Sequence, residues 1–207
     1  MAKKLKTDDT STEEKIKIAA RTLFTQKGFD AVKTREIALE AGINLALLNY
    51  YFRSKQKLFE VVMLENMQLF ILGVASILKN EKDSFEIKLE KLVAHYIDIL
   101  CETPDLAFFI FSQMRLADKN GEPTLPKEML GVKDIIGKQI AIEMKAGRMV
   151  KMDPVHLIAN MIGLVVFPFI ASPMLKARRK INDKQFIALM QERKKLIPKW
   201  FKAMLKP

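Results

Sequence analysis

Side chains able to act chemically on a substrate are few in this chain, and they are scattered. There are two histidines, His95 and His156, 61 positions apart, and one cysteine, Cys101. No cysteine or carboxylate stands at metal-ligand spacing around either histidine, and neither a Gly-x-Gly-x-x-Gly turn nor a phosphate-binding P-loop is present. Cys101 has no histidine near it in sequence and no second cysteine with which to form an internal disulfide. No catalytic residue, cofactor or metal site is therefore expected, and the chain reads as a non-enzyme. The start "MAKKLKTDD" is not a signal peptide, so a cytoplasmic protein is expected.

The chemistry left is recognition. Asn44 to Phe52, "NLALLNYYF", holds no charge although the chain carries a net +11, and the basic "RSKQK" follows it directly. Charge is uneven: residues 1–60 carry +4, residues 61–170 carry −2, and residues 171–207 carry +9. A basic balance favours polyanions such as nucleic acid. For the C-terminal part alone, a solvated lysine surface is the simpler reading.

Positioning such a surface requires a folded scaffold, and the chain can build one. Of its 207 residues 49% are hydrophobic. Apolar residues recur at three- and four-residue spacing, without strand-like alternation, which predicts an all-α fold. Overlapping capping boxes, Thr10 with Glu13 and Ser11 with Glu14, start a helix near Ser11 with Ile16, Ala19, Ala20, Leu23 and Phe24 as its apolar stripe. Gly28 ends it. Thr34 is the expected N-cap of a two-turn helix bearing Ile37, Ala38 and Ala41, which Gly42 breaks. Asn44 caps a third short helix reaching about Tyr51, and Ser54 caps a long fourth. Two short helices across a glycine turn, behind a longer one, form a helix-turn-helix layout. Further helices are expected from Ser84 or Phe85 to Cys101, from Pro104, from Lys127 to about Ala146, from the Asp153–Pro154 cap, and from Asn182 to Leu205 with Pro198 as a kink. "DKNGEPTLP", residues 118–126, reads as a loop, and Pro173 opens a short basic piece.

On a helical wheel at about 100° per residue, Leu48 and Phe52 fall together, flanked by Leu45 and Tyr51. Ala46, Leu47 and Tyr50 fall on the opposite side, with Asn49 at the edge. The first group suits a core. The second faces outward, where apolar side chains can meet thymine methyl groups in a major groove. Lys33, Thr34 and Arg35 gather at the start of the second helix. Lys55 begins the fourth, whose positive end attracts phosphate.

"TREIALEAGINLALLNYYFRSKQKLF", together with the preceding "LFTQKGFDAVKT", resembles the DNA-binding signature of the TetR/AcrR family of bacterial repressors. The matching positions are Thr34, Ile37, Ala38, Ala41, Gly42, Leu48, Tyr51, Phe52, Ser54, Lys55, Leu58 and Phe59, within residues 11–62. The resemblance implies phosphate contacts from Lys33, Thr34, Tyr50, Tyr51 and Lys55, and base reading by Arg35, Leu45, Ala46, Leu47 and Asn49, with Asn44 opening the recognition helix. Asn49 stands where the family most often has tyrosine, and Leu47 where a small polar residue is common. The reading surface is thus unusually apolar.

The resemblance further implies two domains. Residues 1–56 form a helix-turn-helix DNA-binding domain, with 1–10 as a disordered arm, and residues 57–207 form a helical ligand-binding and dimerisation domain. Its partners would be a double-stranded DNA operator, a second copy joined through the helices around 154–170 and 183–205, and a small apolar ligand. His95, Tyr96, Phe108, Phe111, Met114, Arg115 and Phe167 are pocket candidates, and several methionines add adaptable apolar surface. The uncharged run Ile158–Leu175, followed by "KARRK", has the length of a minimal membrane span. Asn160, Pro168, Ser172 and Pro173 interrupt it, and a helix buried by its twin would look as apolar, so an interface is the favoured reading. The rival is a membrane-associated or ligand-carrier protein whose N-terminal bundle mediates protein contacts.

Overall fold

The computed structural model describes residues 5–120, 127–129 and 131–206. Among them the chain is α-helical, with one 3-10 turn and no strand, and it divides into two compact units, Met1–Met67 and Gln68–Pro207.

The first unit holds α1 (Leu5–Lys27), α2 (Thr34–Glu40), α3 (Leu45–Tyr51) and the start of α4 (Lys55–Lys79). The α1 stripe Ile16, Ala19, Ala20, Leu23 and Phe24 is buried with Val32, Ile37, Ala38, Leu48 and Phe52. At about 1.5–3 kcal/mol for each large side chain fully buried, this shared core is what holds two helices of seven residues each, too short to persist alone. Phe24, Phe29 and Phe59 form an aromatic cluster with ring centroids 4.6–5.9 Å apart. On the flank, Glu65 of α4 accepts from Lys17 Nζ at 2.6 Å and Arg21 Nη2 at 2.7 Å.

Two expectations are corrected here. α1 begins at Leu5, so residues 5–10 are helical where an arm was expected. No glycine or proline precedes Gly28, so the polar residues at 7–12 do not oblige the helix to stop at the Ser11 cap. The first unit also extends to Met67, not residue 56. Leu58, Val62 and Met63 of α4 are buried, and a cap at Ser54 marks where a helix starts, not where a core ends.

The second unit contains the rest of α4, then α5 (Phe85–Glu102), α6 (Asp105–Asn120), a 3-10 turn (Lys127–Met129), α7 (Val132–Lys145), α8 (Pro154–Ile170), α9 (Ser172–Arg179) and α10 (Asp183–Leu205). α5 lies at its centre, packed on α10, α8 and α6. It buries Leu89, Leu92, Val93, Ile97 and Leu100 against a core that includes Leu106, Phe109, Val165, Phe169, Phe186, Met190, Ile197 and Phe201. Side chains cap the helix starts: Ser84 Oγ accepts from Ile87 N at 3.3 Å and Asp153 Oδ1 from Val155 N at 2.9 Å. Asn182 and Gln185 cap each other reciprocally at 2.9 and 3.0 Å. α6 runs to Asn120, which takes in the first residues of the expected loop; the others, 121–126, lie outside the described residues. The helix expected from Lys127 begins instead at Val132, after Gly131 turns the chain at φ +76°.

α4 and α5 are joined closely. Lys88, only 2% exposed, donates from Nζ to the Leu78 carbonyl at 2.8 Å, satisfying a group near the end of α4. At Gly73 an added Cβ would lie 2.2 Å from His95 Cε1, so only glycine admits the imidazole there.

The run 158–175 is not one straight helix. α8 ends at Ile170, and α9 leaves it at 64°. α4 is the one described helix that alone is long and apolar enough to cross a membrane; α8 and α9 pass that test only as a bent pair. Within the protein α4 buries Leu58, Val62, Met63, Val74 and Ala75. α8 leaves Val155, Ile158 and Phe167 exposed, and α10 leaves Leu189, Leu196, Trp200 and Met204 exposed. The two helices meet at Asn160, whose Nδ2 lies 3.3 Å from Met204 Sδ.

Candidate nucleic-acid interface

The turn between α2 and α3 sets the angle of the outward helix. Ala41 and Gly42 donate back to the carbonyls of Ile37 and Leu39 at 2.9 and 3.1 Å, and Ile43 donates to Ala38 at 3.0 Å. This closure needs φ +67° at Gly42, a left-handed conformation open to glycine at little cost. The chain then enters α3 through Asn44, whose Oδ1 accepts from Leu47 N at 2.8 Å, an N-cap that matches the sequence.

The start of α2 differs from expectation. Thr34 is its first helical residue and Lys33 the cap position; Lys33 N donates to Glu36 Oε2 at 3.0 Å. That backbone bond, helped by Lys27 at 3.2 Å, holds the Glu36 carboxyl below the usual carboxylate range. The orphan N–H is thus satisfied by a carboxylate one turn ahead, which leaves the Thr34 hydroxyl unneeded for capping.

α3 divides as its wheel predicts. Leu48 and Phe52 are buried, fastening it to α1 and α2, while Leu45, Leu47 and Tyr51 are half-buried. Ala46, Asn49 and Tyr50 are exposed, Tyr50 by 76%. Leu47 therefore lies closer to the edge of the outward face than to its middle. The Tyr50 and Tyr51 rings meet edge-on at 5.4 Å, which stiffens both hydroxyl-bearing side chains. Lys33 and Arg35 are exposed and Thr34 half-buried at the start of α2. Exposed cations thus stand at the start of α2, and an uncharged outward side follows on α3.

Lys55 requires a correction. Its ammonium turns into the bundle and donates to the carbonyls of Phe29 and Val32 at 2.9 and 3.0 Å, 4.2 Å from the Phe29 ring centroid. Residues 28–33 form a tight connection with carbonyls that no helix satisfies, and the cation fills that need. The cations at this edge of the site are instead Arg53 and Lys57, both exposed. Neither was singled out from the sequence, although both lie in the quoted "RSKQK". Lys57 N donates to Ser54 Oγ at 3.1 Å, as expected for the cap of α4.

The five ligand candidates whose side chains are described do not converge. His95 donates from Nε2 to the Phe70 carbonyl at 3.0 Å and stacks on the Phe70 ring at 5.5 Å. Tyr96 packs edge-on to the same ring at 4.7 Å, and burial raises its phenol pKa to about 12. These two side chains serve α4–α5 packing. Phe108, Phe111 and Phe167 are 56%, 40% and 58% exposed. The side chains of Met114 and Arg115 lie outside the described residues. None of the five described candidates lines either described cavity, of about 780 and 190 Å³. Aromatic spacing showed which residues share a helix face, but not whether that face closes over a space.

Two short helices across a glycine turn, the second with an uncharged outward side, form a helix-turn-helix. Comparison with known proteins agrees. Residues 18–62 match the model of the bacterial regulatory proteins of the tetR family. YttP of Bacillus subtilis (strain 168) is 48% identical over 50 residues, 24% of either chain. The HTH-type transcriptional regulator RutR of Escherichia coli (strain K12) is 28% identical over 144 residues, 68% of this chain and 65% of RutR. The HTH-type transcriptional repressor BdcR of the same strain is 39% identical over 74 residues, 36% of this chain and 38% of BdcR. The chain thus spans about a quarter of YttP and just under two thirds of RutR in these matches. Among solved structures, a linker-substituted mutant of HlyIIR aligns over 96% of this chain and 97% of its own, at TM-score 0.53 and 20% identity. The fatty acid degradation regulator FadR from Bacillus halodurans aligns over 89% and 93%, at 0.51 and 18%; both likenesses concern the fold. Residues 18–62 thus form a DNA-binding domain of the tetR-family type.

Proposed function

We propose that this protein is a cytoplasmic transcriptional repressor that binds a palindromic operator as a homodimer and lets go when a small ligand occupies its second unit. The carrying observation is the outward face of α3. Ala46, Asn49 and Tyr50 are exposed without charge, while Lys33 and Arg35 before them in sequence and Arg53 and Lys57 after them are exposed cations. Phosphate contacts position such a protein and base contacts confer sequence choice. Phosphate binding is assigned to Lys33, Thr34, Tyr50, Tyr51, Arg53 and Lys57. Base reading is assigned to Arg35, Leu45, Ala46, Leu47 and Asn49, with thymine methyl groups meeting the aliphatic residues and Asn49 suited to adenine.

Dimerisation is supported by the apolar faces that α8 and α10 leave exposed side by side, with Val155 and Ile158 on one and Leu196 and Trp200 on the other. Two adjacent helices with one apolar face are half of a four-helix bundle, and a second copy supplies the other half. Each dimer would present recognition helices about 34–36 Å apart, or a multiple of that. A ligand releases DNA only if it binds the non-fitting state more tightly.

Selection of bound sequences from random DNA tests the reading. A palindrome with fixed half-site spacing is expected, with affinity falling steeply as salt rises. Failure to enrich any sequence at low salt would overturn it.

A further inference from the structure

The larger described cavity, about 780 Å³, lies within the second unit between the start of α5, residues 143–149 and the C-terminal half of α10. That volume is in the range that holds a drug-sized molecule. Its floor is apolar: Leu89, Met149 and Leu205 are buried, and Phe85 and Pro198 are half-buried beside them. Its rim is cationic. Lys194 pairs with Asp98, Lys202 with Glu86 at 3.4 Å, and Arg148 with Glu143 at 2.7 Å. Once these pairs cancel, Lys195, Lys199 and Lys206 remain without an ion-pair partner among the described residues, against a single unpaired carboxylate, Glu90.

α10 thus has two unlike faces. Leu189, Leu196, Trp200 and Met204 form the apolar one, and lysines at 195, 199, 202 and 206, spaced three or four apart, line the cavity. Lysines concentrated on one face of a single helix repel one another and destabilise it slightly. An anion between them relieves that repulsion, while an apolar body covers the floor.

We infer that this cavity is a binding site for a small organic anion with an apolar body, such as a carboxylate on an aliphatic chain, its head among Lys195, Lys199 and Lys206 and its chain over Leu89, Met149 and Leu205. This site is separate from the phenylalanines of α6 and α8, and the inference does not depend on DNA binding.

The test is calorimetric titration of the full-length protein with decanoate, decan-1-ol and decyltrimethylammonium, which share a chain and differ in head charge. Saturable binding of decanoate, weaker binding of the alcohol and none of the cation are expected, with decanoate affinity falling as salt rises. The exposed pair Lys195→Glu with Lys199→Glu should weaken decanoate roughly tenfold or more and leave decanol unchanged. Retained decanol binding and an unaltered far-ultraviolet spectrum certify that variant as folded. Phe108→Ala with Phe111→Ala should bind decanoate like the parent. The inference fails if decanoate does not saturate, if decanol binds as tightly, if the lysine reversal has no effect, or if the phenylalanine variant alone loses binding.

Discussion

Lys55 offers the sharpest test of the interface, because its charge has two incompatible uses. A phosphate-binding lysine releases a counterion, and removing it lowers the slope of log affinity against log salt by about 0.9 for each protomer bound. The structure assigns it the other use: its ammonium donates to the Phe29 and Val32 carbonyls at 2.9 and 3.0 Å and lies 4.2 Å from the Phe29 ring centroid. Two hydrogen bonds from a charged donor contribute about 1.5–3 kcal/mol each when buried, and the ring contact about 0.5–1 kcal/mol. Lys55 is half-buried, so water reaches the carbonyls once it is gone, and Lys55→Met should cost about 2–4 kcal/mol in the first unit. The loss should localise to the connection between α1 and α2, which hydrogen-exchange mass spectrometry of residues 28–34 reads directly. The sole tryptophan, Trp200, lies in the second unit, so its fluorescence would miss the change. DNA affinity should fall because the start of α2 loosens, while the salt slope of the remaining specific binding stays at the parental value. A slope reduced by about 0.9 per protomer, with exchange at 28–34 unchanged, would refute the assignment.

Other outcomes follow from the same coordinates. Gly73→Ala places a Cβ 2.2 Å from His95 Cε1 and should cost about 1–3 kcal/mol; pairing it with His95→Ala should recover part of that loss in thermal melts. Asn44→Ala removes the Leu47 N–H acceptor and should destabilise the first unit by about 1 kcal/mol, with a matching loss of operator affinity in a gel-shift titration. Tyr96 titrates near 10 when unfolded and at about 12 when folded. Its contribution is therefore complete below pH 10 and is lost as pH rises toward 12; Tyr96→Phe should show a shallower stability loss across that interval in urea melts. Replacing each operator thymine in turn by uracil should weaken binding at one or more positions in parent protein, and not at those same positions in Leu47→Ala; unchanged affinity at all of them would exclude methyl contacts.

Much of the first unit could be read from residue order because its signals are local. Gly28 and Gly42 stop helices through their own positive φ, and Asn44 and Ser54 cap through contacts three residues away. The partition of α3 into buried Leu48 and Phe52 and exposed Ala46, Asn49 and Tyr50 needs only helical periodicity and a core on one side. The outward-facing residues of α3 were legible for the same reason.

What residue order left undecided depends on contacts across long separations. Lys55 reaches carbonyls 26 and 23 positions away, and no local pattern distinguishes a lysine that turns inward from one that faces a phosphate. His95 and Tyr96 looked like pocket residues until Gly73 and Phe70 of a neighbouring helix were placed against them. The cavity between α5 and α10 joins side chains more than a hundred positions apart, such as Phe85 and Lys202. Helix type, caps and faces follow from interactions within a few residues and are inherent in the chain itself. Which polar group meets which partner, and where a space remains, is a property of packed helices, because burial and its hydrogen-bond demands exist only once the distant surfaces have met.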